Sequence, residues 1–168
     1  MSDNSSAIAN ARGLSSPQGC DAVANAKAWY ESICEMVKEL EAAREEAESM
    51  DREEASQQRI HESVLSVEVR SGWYTPGQTP KPEEYSILLT TGGPGLRLIG
   101  GLDEYGQPVS ARLEYQDWGT PWTEAKFRDL CPGRTISGVG PSYMDWDATW
   151  PNCQKILLAF ASCFYFGE

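Results

Sequence analysis

Residues 21–62 contain neither glycine nor proline, and at Val64 the hydrophobic period changes abruptly from helical to alternating. Those two facts constrain the fold more than any composition figure. The stretch DAVANAKAWYESICEMVKELEAAREEAESMDREEASQQRIHE is rich in Ala, Glu, Lys, Met and Leu, all strong helix formers. Asp21 is placed to cap it, because an Asp side chain accepts hydrogen bonds from the first free N–H groups of a helix. Tyr30, Ile33, Val37 and Leu40 step by three, four and three, which makes one apolar stripe. Met36, Ala43, Ala47 and Met50 continue it more weakly, and beyond Met50 it fades into a polar segment. The spacing predicts one long acidic helix, packed along its first half and solvated or engaged by a partner along its second.

From Val64 alternation takes over. Leu65, Val67 and Val69 fall on one face, and Ser66, Glu68 and Arg70 on the other, which predicts a strand. EYSILLT and LRLIG read as two more strands, and VSARLEYQDW as a fourth. Between the second and third lies TGGPG. A phosphate loop needs its amides at the start of a helix and usually carries a lysine and a hydroxyl after its glycines. Here a strand-like run follows and no GK[ST] occurs in the chain. The spacing therefore predicts a tight hairpin, with glycine supplying positive φ. GLDEYGQP reads as a second turn, with Asp103 and Glu104 as turn residues. Short loops between four strands predict an antiparallel meander.

Further on, WTEAKFRDL reads as a short helix capped by Thr123, and RTISGV as a further strand. Asn152 is placed to cap a buried helix over NCQKILLAFASCFYF, for which a strand is the alternative. The expected organisation is a flexible tail over 1–20, a long acidic helix over 21–62 and an α+β domain over 63–168. In that domain a C-terminal helix covers one face of the sheet.

The charge balance narrows the function. Asp and Glu total 25 against 14 Lys and Arg, a formal −11. Residues 21–62 alone hold 12 acids and 5 bases. Phosphate binding needs basic clusters, so direct nucleic-acid binding is not expected. An acidic chain instead suits a basic partner, or simple solubility. The five cysteines have no CxxC spacing, which argues against a zinc site or disulfide framework. No secretory signal stands at the N-terminus, and ILLAFASCFYF is too short for a membrane span, so a cytoplasmic protein with no membrane partner is expected. No cofactor is expected.

Two groups of residues are candidate contacts. Glu41, Glu45, Glu48, Glu53 and Glu54 form a carboxylate run that could oppose Lys and Arg in a basic groove; the plainer reading is a solvated helix face with i,i+4 pairs. Trp118 and Trp122 bracket GTP, either closing the end of a core or serving as interface anchors, since tryptophan dominates interface hot spots. The stripe over 30–50 is also a candidate homodimer surface. Asp145 and Asp147 in MDWDATW are a weaker candidate cation pair. His61 is the only histidine, and no GxSxG elbow accompanies it, so it reads as structural rather than as a catalytic base.

The strings VRSGWY (69–74), EYSILLTTGGP (84–94), LDEYGQPVSARLEYQDWGTPWTE (102–124) and FASCFYFGE (160–168) resemble a family of small uncharacterised proteins carried by phages and prophages of proteobacteria. The resemblance covers about two-thirds of the chain and brings no catalytic residue with it. It implies a phage setting, in which small acidic proteins often inhibit host defences, CRISPR systems among them. The expected function is a non-enzymatic, anti-CRISPR-like inhibitor, and the expected partner is a host protein or ribonucleoprotein complex whose basic surface it occupies with acidic and aromatic residues. The alternatives are a small phage enzyme or nucleotide- or metal-binding protein using TGGPG, Asp145 and Asp147, and a structural homo-oligomer.

Overall fold

The computed structural model describes residues 18–45, 50–126, 130 and 146–167, with the backbone alone for 18–20 and 146–152. Residues 1–17 of the expected tail, Ala47, Glu48, the RTISGV segment and Asp145 lie outside the described residues, and residues 18–20, expected in the tail, belong to a helix. The fold is α+β. In chain order come α1 (Gln18–Glu45), α2 (Met50–Glu62), five strands, and α3 (Trp146–Ala161). The strands are β1 (Ser66–Arg70), β2 (Glu84–Thr90), β3 (Gly95–Gly101), β4 (Arg112–Gln116) and β5 (Thr123–Glu124).

The long N-terminal helix is present, and its buried stripe is the one the spacing defines. Tyr30, Ile33, Met36, Val37, Leu40 and Ala43 are all buried. It begins at Gln18, so Asp21 lies in its first turn rather than at the cap. There its carboxylate still meets the positive end of the helix dipole. The rest of the run forms a separate helix, α2, which packs back along α1. Arg44 pairs with Glu53 at 3.0 Å, and Arg59 pairs with Glu39. Buried Ile60 joins the core that α1 helps to form. This accounts for Met50, which continues the stripe in sequence but stands exposed at the start of α2.

The sheet is fully antiparallel in the order β1-β2-β3-β4-β5. It is a meander with one strand more than the alternation indicates. Thr123 does not cap a helix: Thr123 and Glu124 pair with Tyr115 and Glu114. Tyr85, Ile87, Leu89, Leu96, Leu98 and Leu113 point to one face and are buried. They form one core with α1, Leu157 and Phe160 of α3, and Phe166 beyond it. Both glycine-marked loops are turns. Gly92 (φ 88°) lies between β2 and β3, and Gly106 (φ 76°) between β3 and β4. Asp103 Oδ1 accepts from the backbone N–H groups of Tyr105 and Gln107, closing the second turn.

The C-terminal segment is helical from Trp146, so Asn152 is inside α3 rather than at its cap. After Ala161 the chain leaves the helix and is pinned at two points. His61 stacks on Phe164 with ring centroids 5.0 Å apart, and its Nε2 donates to the Cys163 carbonyl at 2.8 Å. Tyr85 packs on Phe166 at 4.7 Å and donates its hydroxyl to the Ser110 carbonyl. The single histidine is thus a structural fastener. Cys34, Cys153 and Cys163 are not in disulfides, and burial pushes Cys34 and Cys163 upward in pKa. Among the described residues, no helix is long and apolar enough to cross a membrane.

Candidate binding site on the uncovered sheet face

Alternation places Ser86, Leu88, Arg97, Ile99, Arg112, Glu114 and Gln116 on the face opposite the buried core. A charged row runs across its middle. Register sets Leu88 opposite Arg97 and Arg97 opposite Glu114. Arg97 donates to Glu114 Oε2 through Nε at 2.9 Å and Nη2 at 2.7 Å. Arg112 Nε donates to the other oxygen at 2.8 Å. Glu114 is the one buried charged residue among those described, and it is held between two cations. Burial pushes its pKa upward, but the hydrogen bonds from Arg112 and Arg97 outweigh that, and the carboxyl stays below its ordinary range.

The same arginine positions an aromatic ring. The Arg97 guanidinium carbon lies 4.3 Å from the Trp122 ring centroid, a cation–π contact. The edge of Trp122 lies over Gly95, where a Cβ would be 3.3 Å from the ring. Trp118 sits on the neighbouring loop. Thr120 N–H closes a turn onto the Asp117 carbonyl, and Gly119 at φ 73° supplies the left-handed position that turn needs. The Trp118 indole reaches across to the glycine-rich hairpin, so close that a Cβ on Gly93 would fall 1.9 Å from Nε1.

Between these loops lies a cavity of about 350 Å³. Leu88, Gly93, Gly95, Trp118 and Trp122 form its apolar wall, with Thr90 and Gln116 at the polar margin. Its volume is at the lower end of the range of small-ligand pockets, roughly 300–1,000 Å³. The tryptophans do not close a core. Trp118 is 78 % exposed, and neither belongs to the buried cluster. TGGPG is a hairpin, as its spacing indicates, and it is also a wall of the cavity.

The glutamates lie elsewhere. Glu41 and Glu45 are exposed on α1, and Glu54 is exposed on α2. Glu53 lies in the seam between the two helices, paired with Arg44. The helices pack on the buried sheet face, so this acidic group and the two tryptophans occupy opposite sides of the sheet. Of Asp147 only the helical backbone is described. Among the described residues no group of three or more His, Cys, Asp or Glu is placed to hold a metal ion. No family model, curated protein or solved structure matches the chain.

Proposed function

We propose that this chain is a non-enzymatic binding protein of the host cytoplasm. On this reading it inhibits a nucleic-acid-handling defence complex in the manner of an anti-CRISPR protein, and Trp118 and Trp122 are its anchor. The cavity on the uncovered sheet face carries the proposal. Two tryptophans held by Arg97 and by glycine contacts give a large apolar contact at little cost in side-chain entropy, as interface hot spots do. The formal charge of −11 supports a basic partner. Because Glu41, Glu45 and Glu54 lie across the sheet from the anchor, their role is long-range attraction, which raises the association rate and weakens with salt. The phage-like strings supply the setting of host defence.

The glycine-rich wall and the size of the cavity also suit a small planar ligand such as a nucleotide. Two measurements separate the readings. Affinity isolation from an infected or lysogenic host, followed by mass spectrometry, should retain a nuclease or CRISPR effector at low salt and release it at high salt. Thermal-shift screening against nucleotides and divalent metals should leave the unfolding midpoint unchanged. A clear nucleotide-dependent rise that Gly93→Val abolishes would replace the inhibitor reading with the small-ligand one.

A further inference from the structure

We infer that the free edge of β1 is a self-association surface, on which a second copy of this chain pairs antiparallel about Val69. β1 is the outer strand of the sheet. Val67 and Val69 lie opposite Ile87 and Tyr85, so they share the face that the helices cover. Yet Ile87 and Tyr85 are buried, whereas Leu65, Val67 and Val69 are 59 %, 37 % and 47 % exposed. Among the described residues the helical layer therefore stops short of β1. Trp73, just beyond the strand, is fully exposed. Proteins usually blunt such an apolar edge with proline, a bulge or inward-pointing charge, because its unpaired backbone groups template another strand.

The occupant must be an extended segment with alternating apolar residues. On the other face it must oppose Glu68 with a cation and Arg70 with an anion. β1 itself meets every condition. In a two-fold antiparallel register centred on Val69, Glu68 of each copy falls opposite Arg70 of the other. The valines meet at the axis, and Leu65 is brought beside the second copy's Trp73. A surface that complements itself under a two-fold is what an isologous dimer requires, and opposite charges directly across paired strands attract. Arg70 already pairs with Glu84 in its own chain, but its side chain remains 75 % exposed and can engage a second carboxylate.

Sedimentation velocity of the full chain over a concentration series tests the pairing and its register. The wild type should shift from monomer to dimer as concentration rises. Glu68→Arg sets arginine against arginine at both pairs, and Arg70→Glu sets glutamate against glutamate, so each alone should sediment as a monomer. An equimolar mixture of the two should regain the dimer, because each charge again meets its opposite. Val69→Lys places two cations at the axis and should be monomeric, with unchanged circular dichroism. A wild type that stays monomeric throughout overturns the inference. So does a dimer that survives Glu68→Arg or Val69→Lys, or a mixture that remains monomeric.

Discussion

Replacing Glu114 with glutamine removes one charge from the centre of the uncovered face and leaves the shape almost unchanged. The carboxylate accepts three hydrogen bonds, two from Arg97 and one from Arg112. Losing one partner of a buried ion pair costs about 3–5 kcal/mol, and of an exposed pair about 0–1 kcal/mol. The Arg97 and Glu114 side chains are 25 % and 10 % exposed, which is nearer the buried case. The amide retains one acceptor oxygen, so the expected loss is about 2–3 kcal/mol at pH 7. The pH dependence follows from the direction of the shift. In the folded protein Glu114 titrates below its ordinary 4.5. Its contribution is complete above that value and disappears as pH falls through the lower, folded one. Urea denaturation of wild type and Glu114→Gln should therefore show a gap that is full at pH 7 and smaller in acid, at a pH below 4.5. No gap at pH 7, or an equal gap at both pH values, refutes the ion-pair account.

Three further substitutions test other parts of the structure. A Cβ at Gly100 would lie 1.8 Å from the Ser110 carbonyl oxygen, a backbone atom; Gly100→Ala should cost about 3 kcal/mol or more by thermal unfolding, and a tolerated alanine contradicts the packing of that segment on β3. His61→Ala removes the Phe164 stack and the bond to Cys163, so chemical denaturation should show a loss of about 1–2 kcal/mol. Gly93→Ala should displace the Trp118 ring with less than about 0.5 kcal/mol of stability lost, seen as a change in indole emission that is absent in a Trp118→Phe background.

What the sequence makes legible is what repeats. The α1 stripe recurs over six buried positions, and Val67 and Val69 alternate with Glu68 and Arg70 in β1, so their facing follows from period alone; in β2 the run Ile87-Leu88-Leu89 does not alternate, and its facing is set by pairing. The division of residues 21–62 into two helices has no local marker. Good helix formers run throughout, and the reversal is fixed by tertiary contacts: Ile60 in the common core, and Arg44 and Arg59 reaching glutamates on the neighbouring helix. β5 is two residues long, too short to alternate, and its pairing with β4 overrides the helical propensity of TEAK.

The missed strand also conceals half of the site. In a meander, alternate loops emerge at the same end of the sheet. Once β5 is present, the β2–β3 hairpin and the β4–β5 loop are neighbours, and TGGPG must lie beside DWGTPW. Trp118 and Trp122 are legible as a pair, but their glycine wall is not. The glutamates are legible as a charge run, whereas their separation from the tryptophans by a whole sheet depends on which face the helices cover.

The central claim is that the tryptophan cavity anchors a basic partner. It is tested most directly by surface plasmon resonance with the complex retained from the host, comparing wild type, Trp118→Ala/Trp122→Ala and Glu41→Gln/Glu45→Gln. The account predicts that the tryptophan variant loses affinity roughly 100-fold or more, mainly through faster dissociation. The glutamate variant should associate more slowly and with a weaker salt dependence. A tryptophan variant that binds with wild-type affinity would contradict it.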